Sequence, residues 1–258
     1  MIINLNTIAE AFLNCGHEMV LVPLIILGFL AFDRKIFGNA TFLLLFTMIF
    51  NVLLKALFQV PLAAHINKVG YAFPSGHMHS AVVFYGWLLL NMRNSLIKIG
   101  LAILITGIAF GLIYQKYHNI YDIIGALFFG VATLVIYSPI ARINIFNNKP
   151  FLLGYLCIAL SICIMWYLNS INSLSNHVWM AFMVLSGFTI SWTIFAKSIT
   201  KNPPFLGAMF GLAFILGIYY CTIMLKHWAN INYDIQWVMV GVLIPLTARI
   251  TGNFKITK

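Results

Sequence analysis

The sequence predicts an all-α polytopic membrane protein, a helical bundle of about nine spans, and three observations support this fold class. Of the 258 residues, 62% are hydrophobic and only 8% are charged, whereas soluble domains carry about 25% charged residues. The mean hydropathy is +0.97. Apolar runs close to the roughly 17–25 residues that a spanning helix needs recur along the whole chain, and they lack the short alternating segments of a membrane β-barrel.

Short polar loops separate these apolar runs, and the third run is short. The predicted spans cover residues 18–32, 40–60, 77–92, 97–115, 121–140, 150–168, 177–196, 204–225 and 234–251. We expect three parts of the chain: an N-terminal span within 1–39, a four-helix unit over 40–145 and a second four-helix unit over 146–258.

The positions of Lys and Arg predict the orientation, because short cytoplasmic loops are enriched in them. One set of loops holds most of these residues, namely Arg34, Lys35, Arg93, Lys98, Arg142, Lys149, Lys197, Lys201, Arg249, Lys255 and Lys258. The opposite set holds Lys55, Lys68, Lys116 and Lys226. We therefore expect the N-terminus outside and the C-terminus inside, with a bacterial inner membrane as the location. The net charge of +10 is dispersed over these loops, which argues against a nucleic-acid partner.

The histidines are all predicted at the outer boundary, although the distribution of Lys and Arg does not require this. They are His17, His65, His77, His79, His118, His177 and His227. Histidine favours interfaces in general, but complete segregation to one face indicates chemistry or binding on the outer side.

An internal repeat is visible in the loops at this boundary. The stretches 111–130 and 217–241 both have a glycine opening a helix, a loop with His and Asn, and Tyr-Asp opening the next span. Upstream, "PSGH" at 74–77 has a counterpart in "LSNH" at 174–177. Spans two to five and six to nine are then predicted to be parallel copies of one four-helix unit, with span one outside the repeat.

In the first copy, polar residues from three segments reach the outer face. Lys55 lies near the end of span two, "PSGH" opens span three, and "HNIYD" with His118 and Asp122 opens span five. A lysine and an aspartate near the ends of apolar helices are costly and often functional. Taken singly, Lys55 can snorkel to the interface, and Ser75 and Asp122 can cap helices. Their joint occurrence on one face favours a functional site.

These residue types suit phosphoryl transfer. Backbone N–H groups at a helix start, exposed by Gly76, bind anions, and Lys55 adds a positive charge. One histidine can attack phosphorus and form a covalent intermediate. A carboxylate four residues later can hold its tautomer. A second histidine can protonate the leaving group and then activate water, and we expect neither a metal nor another cofactor to be needed.

The same residues resemble the membrane-bound type 2 phosphatidic acid phosphatase (PAP2) superfamily, with the likeness extending over roughly residues 40–140. The family pattern is Lys-x6-Arg-Pro, then Pro-Ser-Gly-His, then Ser-Arg-x5-His-x3-Asp. The second element is complete at 74–77, the third keeps His-x3-Asp at 118–122, and the first keeps Lys55. The resemblance implies the family's helical core and an extracytoplasmic catalytic face. It also implies His118 as nucleophile, Asp122 as its orienting group, His77 as general acid, and Lys55, Ser75 and Gly76 as phosphate-binding residues.

Both arginines of the family pattern are missing. Leu62 and Ala63 stand where Arg-Pro is expected, and Gly111 and Leu112 stand at the Ser-Arg positions. Arginine makes bidentate phosphate contacts that lysine does not reproduce. The nearby cations that are candidates to replace it are Lys68, His65, His79 and, best placed two residues before His118, Lys116, whose alternative role is snorkelling to the interface.

The second copy keeps Ser175, His177 and Asp234, but it has Asn230 at the position of His118. No lysine occupies the position equivalent to Lys55. We predict a degenerate copy that shapes a lipid-binding groove or a pseudo-symmetric interface. The alternative is a second active site that uses His177 and His227.

The sequence thus predicts a lipid phosphatase or diphosphatase acting at the outer leaflet through a phosphohistidine. Isoprenoid diphosphates, phosphatidic acid, phosphatidylglycerol phosphate and lipid A phosphates are all candidate substrates. A phosphotransferase that passes the phosphate to another lipid shares the same covalent step. The alternative from another class is a non-enzymatic lipid binder or transporter, since repeats are common in transporters and lost arginines are typical of a pseudoenzyme.

Overall fold

A computed structural model describes residues 4–66, 70–197, 207–218 and 233–252. The regular structure of these ranges is helical, apart from an isolated antiparallel bridge between Pro61 and Tyr71. The helices are α1 (Leu5–Cys15), α2 (Glu18–Leu27, continued by a π turn over Gly28–Phe32), α3 (Arg34–Phe58), α4 (Gly76–Asn91), α5 (Ser95–Tyr114), α6 (Ile120–Arg142), α7 (Asn144–Asn148), α8 (Phe151–Ser170), α9 (Asn176–Phe195), α10 (Gly207–Ile218) and α11 (Tyr233–Gly252). The predicted all-α membrane fold is confirmed.

Within the described ranges, five helices are long and apolar enough to cross a membrane: α3, α5, α6, α8 and α9. The pair α1 and α2, bent by 48°, is a sixth candidate span. Helix α4 has 16 residues, which agrees with the prediction of a short third span. The total of about nine spans stays a prediction, because part of the predicted eighth span lies outside the described residues.

Helix α4 is the centre of the first half and packs against α3, α5 and α6. Its side chains from Ala81 to Tyr85 are all 3% exposed or less. At the end of α4 far from Ser75, the indole N–H of Trp87 donates to the carbonyl oxygen of Ile36 at 2.9 Å. Because α4 is surrounded by other helices, it has no polar face. It is also too short to span a bilayer alone.

Helix α1 was not predicted from the sequence, and it packs across α5. The contact depends on two glycines of α5. A Cβ at Gly107 would lie 2.2 Å from the Phe12 ring, and a Cβ at Gly111 would lie 2.9 Å from the Ala9 carbonyl oxygen. The absence of side chains at these two positions allows close helix approach, as is common between membrane helices. Helix α1 was missed because it is short and carries Asn and Glu on one face.

The second half packs onto α3 through α8 and α9, and α9 also packs closely against α11. A Cβ at Gly187 would lie 2.3 Å from the Val238 carbonyl oxygen, and a Cβ at Gly241 would lie 2.3 Å from the Val184 carbonyl oxygen. Helices α9 and α11 therefore approach backbone to backbone. One apolar core includes residues of both halves. The division at 39, 145 and 258 and the internal repeat stay predictions.

Candidate functional site

The C-terminal end of α3 meets the N-terminal ends of α4 and α6, and we call this end of the bundle the site end. The junction is held by a backbone hydrogen bond, in which the Ser75 N–H donates to the Asp122 carbonyl oxygen at 3.1 Å. Lys55 lies in the last turn of α3, and the helix ends at Gln59 in a left-handed conformation with φ 51°. Residues predicted from three separate segments are thus brought together.

Ser75 and Gly76 open α4. Ser75 is fully buried, is the N-cap of α4, and its hydroxyl accepts from the Met78 N–H at 3.5 Å. Gly76 faces α3, where a Cβ would lie 3.2 Å from the Asn51 side-chain oxygen. The capping role that the sequence allowed for Ser75 is therefore real, and it sets the direction in which the first N–H groups of α4 point.

Asn51 is a residue of this site that sequence reasoning missed. It is 5% exposed and stands one turn before Lys55. Its amide nitrogen is 3.3 Å from the Pro74 carbonyl oxygen and 3.2 Å from Nδ1 of His79, so its two N–H groups can donate to both. Asn51 ties α3 to the start of α4. A polar residue inside an apolar helix, one turn from the lysine, was the signal that could have identified it.

His118 and Asp122 form the hydrogen-bonded pair that the His-x3-Asp spacing predicts. Nδ1 of His118 is 3.2 Å from Oδ2 of Asp122. The same carboxylate oxygen accepts from the Asn119 N–H at 3.1 Å, and the Asn119 side chain accepts from the Asp122 N–H at 2.9 Å. Asp122 therefore both caps α6 and holds the His118 ring. When the Nδ1–H donates to the carboxylate, Nε2 of His118 is left with its lone pair.

The site end gathers positive and titratable groups. The charge of Lys55 acts on Asp122 and on the imidazoles of His77, His118 and His177. Burial lowers the pKa of His118 below its ordinary value; the Asp122 hydrogen bond and charge raise it in part, and Lys55 lowers it again. A lowered pKa keeps His118 neutral, and so nucleophilic, over a wider pH range.

A cleft of about 450 Å³ opens beside this pair. Its walls combine apolar side chains with the polar groups of the site, namely Pro61, Ala63, His65, Ala72, Ile113, Lys116, Tyr117, His118, Asn119 and Asp122. Of the candidates to replace the missing arginines, Lys116 and His65 line this cleft. His79 is fully buried and bonded to Asn51, which makes it unsuited to the role. Lys68 lies outside the described residues.

Two further histidines approach the site end. The ring of His17, at the junction of α1 and α2, contacts the His77 ring edge-on with centroids 5.1 Å apart. His177, at the start of α9, lies in electrostatic range of Lys55. The second active site that the sequence allowed stays a prediction, because His227 and Asn230 lie outside the described residues and the side chain of Asp234 is not described.

An imidazole held by a carboxylate, a second imidazole, a lysine and a helix N-terminus form a set of groups that can bind a phosphoryl group and displace its leaving group. Within the described residues, no three His, Cys, Asp or Glu side chains are grouped as metal ligands.

Comparison with known proteins gives one family. The sequence profile of the PAP2 superfamily matches residues 37–146, a segment that begins in α3 and ends in α7. No curated protein and no solved structure matches the chain. This similarity points to phosphatase-type activity on phosphate esters. The matched segment contains Lys55, Ser75, Gly76, His77, Lys116, His118 and Asp122. Residues 37–146 of this chain are therefore similar to the PAP2 superfamily.

Proposed function

We propose that this protein is a lipid phosphatase or diphosphatase that works through a phosphohistidine on His118. The observation that carries the proposal is the His118–Asp122 pair, 3.2 Å apart, beside a cleft with both apolar and cationic walls. Soluble phosphate esters need no apolar wall. A lipid phosphate does, because its headgroup lies at the boundary where the acyl or isoprenoid chain enters the bilayer.

In the first step, Nε2 of His118 attacks phosphorus while the bond between phosphorus and the leaving oxygen breaks. Protonated His77 gives its proton to that oxygen, so the leaving alcohol or phosphate carries one negative charge fewer. Burial and the charges of His17, His118 and Lys55 lower the pKa of His77 to about 4, and the negative charge of the bound substrate raises it toward the protonated form that this step needs. Asp122 supports the positive charge that develops on the His118 ring. Lys55, Lys116 and the N–H groups at the start of α4 hold the phosphoryl oxygens.

In the second step, His77 takes a proton from water, and the resulting hydroxide attacks the phosphohistidine. The bond between nitrogen and phosphorus breaks, inorganic phosphate is released, and His118 returns to its starting state. None of these steps calls on a metal. A lipid alcohol in place of water would make the same site a phosphotransferase, so an acceptor lipid belongs in the assay.

The predicted orientation supports an active site that faces outside. The loops at the site end hold few of the Lys and Arg residues, and the opposite loops hold most of them. By the rule that cytoplasmic loops are enriched in basic residues, the site end faces away from the cytoplasm, so the substrate is a lipid of the outer leaflet.

The test is phosphate release by the purified protein in detergent with EDTA, over a panel of lipid phosphates and diphosphates. We expect release that is lost in His118→Ala and in His77→Ala. Arg93→Ala is the matched control, since it removes an exposed cation from the opposite end of α4. A radiolabelled lipid phosphate should label the wild type through an acid-labile, alkali-stable bond that His118→Ala lacks. Folded protein that releases no phosphate, with or without an acceptor lipid, would overturn the proposal.

A further inference from the structure

We propose that His17 is a phosphate-binding residue of this site, delivered by α1 to compensate for the missing arginine of the third motif. The inference rests on the proposed function for the identity of the site. It goes beyond the family pattern, because His17 lies outside the segment 37–146 that the family profile matches.

The first step of the argument is the contact between His17 and His77. Their ring centroids are 5.1 Å apart with the planes at 63°, and each ring is close enough for its charge to act on the other. His77 is also in electrostatic range of His118 and Lys55. The His17 side chain is exposed. At the two positions where the family pattern has arginine, this chain has leucine. His17 is thus a solvent-facing donor at the edge of the candidate phosphate site.

The second step is the way in which α1 holds His17 there. The Tyr85 hydroxyl of α4 donates to the Cys15 carbonyl oxygen at 2.6 Å. The His17 N–H donates to the Asn14 carbonyl oxygen at 3.1 Å, and His17 is the N-cap residue of α2. The turn between α1 and α2 is therefore fixed on the helix that carries His77, with no dependence on the charge of either ring.

The third step connects this packing to the missing arginine. The motif positions for Ser and Arg hold Gly111 and Leu112. Gly111 lies against α1, with Leu13 Cγ 2.9 Å from the position of a Cβ, and Leu112 is only 2% exposed. An arginine at position 112 would have to bury its guanidinium in this apolar core. Helix α1 occupies the surface beside Gly111 and supplies a different phosphate donor, His17, from the turn that follows it.

The fourth step is the excess of positive and protonatable groups. Imidazoles of His17, His77 and His118 converge with the Lys55 ammonium, each within electrostatic range of at least one other. Burial and the neighbouring cations lower the pKa of His77 and of His118, and an anion bound among these groups favours their protonated forms. A phosphate with two negative charges is the ligand class that suits this cluster.

The experiment is equilibrium dialysis of radiolabelled inorganic phosphate against the full-length protein in detergent, which needs no turnover. His17→Asn is the test variant, because Asn remains a good N-cap for α2 but cannot carry a positive charge. We expect its Kd for phosphate to rise about tenfold, the loss of one charge-assisted contact, and His17→Arg to restore binding. Asn14→Ala, an exposed change on the same turn, is the matched control and should leave the Kd unchanged.

The outcomes separate this inference from the proposed function. If lipids are not hydrolysed but phosphate binds and His17→Asn weakens it, the proposed function is wrong and the role of His17 stands. If Lys55→Met weakens phosphate binding and His17→Asn does not, the role of His17 is wrong although the site is real. Wild-type protein that binds no inorganic phosphate overturns the role of His17 as well. In a protein that hydrolyses lipid phosphates, His17→Asn should raise KM more than it lowers kcat.

Discussion

At the scale of single residues, Asp122 serves two purposes with one carboxylate. Oδ2 accepts from the Asn119 N–H, which caps α6, and it also accepts from Nδ1 of His118. A polar residue at a helix start can be either a cap or a functional group. Here the hydrogen bond that caps α6 also fixes the carboxylate that orients the His118 ring. The carboxylate that holds the His118 ring is therefore positioned by the first turn of α6.

Replacing Asp122 with Asn tests this coupling. The amide oxygen that Asp122→Asn introduces can still accept from the Asn119 N–H, so we expect α6 to remain capped and the thermal stability to change little. Loss of the carboxylate should lower kcat by about 10²–10⁴-fold, the scale of removing the orienting acid or a general base. Because Asp122 raises the pKa of His118, its removal should move the acidic limb of the pH profile of kcat/KM to lower pH. An acidic limb that stays in place would contradict the assignment of His118 as the nucleophile.

The opposite shift is expected for Lys55→Met, which keeps the unbranched shape and most of the length of the side chain and removes its charge. Lys55 lowers the pKa of His118, so its loss should move the acidic limb to higher pH. The loss of a charge-assisted phosphate contact of about 1.5–3 kcal/mol should also lower kcat/KM by roughly 10- to 150-fold. Pre-steady-state and pH-dependent kinetics on the same preparation measure both effects. Lys116→Met gives the comparison for the exposed cation that lines the cleft beside His118. An equal or larger loss there would make Lys116 the main phosphate-binding cation.

At the scale of elements, the segment before α4 is held against α6 by aromatic packing. The Phe73 ring lies over Gly125, where a Cβ would come within 2.2 Å of it. Phe73 also packs edge-on against Phe58 of α3, with centroids 5.0 Å apart. The close approach of the Phe73 ring to Gly125 places the Pro74–Gly76 segment beside Asp122. This contact between the start of α4 and α6 assembles the site.

Gly125→Ala should therefore damage the site from a distance. The added methyl group overlaps the Phe73 ring and must displace it together with the start of α4. Overpacking of this kind costs about 1–3 kcal/mol, and we expect a lower melting temperature and a fall of at least about tenfold in kcat. Gly100→Ala is the matched control, because a Cβ there meets nothing within 4 Å. The double variant Phe73→Leu with Gly125→Ala should recover part of both losses; full activity of Gly125→Ala alone would show that the Phe73 contact does not position the site.

At the scale of the whole molecule, helices of both halves share one apolar core, and α3 is the element that joins them. It packs against α4 on one side and against α8 and α9 on the other. Gly38 of α3 lies directly against the Trp192 ring of α9, and Trp192 stacks on Phe42 at 5.6 Å. The second half of the chain therefore supports α3, the helix that carries Lys55 and Asn51. This structural role does not depend on a function of the loops in the second half.

The orientation of the whole bundle can be tested by cysteine labelling in intact cells. In a background without the native cysteines, Ser173→Cys lies in the loop between α8 and α9, at the site end, and Asn148→Cys lies at the opposite end. We expect a membrane-impermeant maleimide to label position 173 in intact cells and position 148 only after permeabilisation. The reverse pattern would place the site end in the cytoplasm and would move the expected substrate to the inner leaflet.

Part of the fold and part of the geometry of the candidate site were predictable from the sequence. Hydrophobic composition predicted the membrane helices, because a bilayer accepts only long apolar helices or closed barrels. The pairing of His118 with Asp122 was expected from the His-x3-Asp pattern. Because His118 precedes the N-cap Asn119, the capping box of α6 brings the two side chains together, not the periodicity of a helix. Capping by Ser75 also followed from local sequence, since an N-cap depends on the residues within one turn of it.

Tertiary structure alone decided which distant residues meet. Asn51 bonds to Pro74 and His79 because α3 and α4 pack in one particular register, and no pattern within either helix specifies that register. Helix α1 and the contact of His17 with His77 depend on two glycines of α5, nearly a hundred positions away in the chain. Sequence patterns alone were enough to predict the membrane class, the likeness to the PAP2 motifs and the contact of His118 with Asp122, because these depend on composition and on spacings of a few residues. The packing of α1 and the completion of the site by Asn51 and His17 depend on long-range steric fit, which only the folded arrangement reveals.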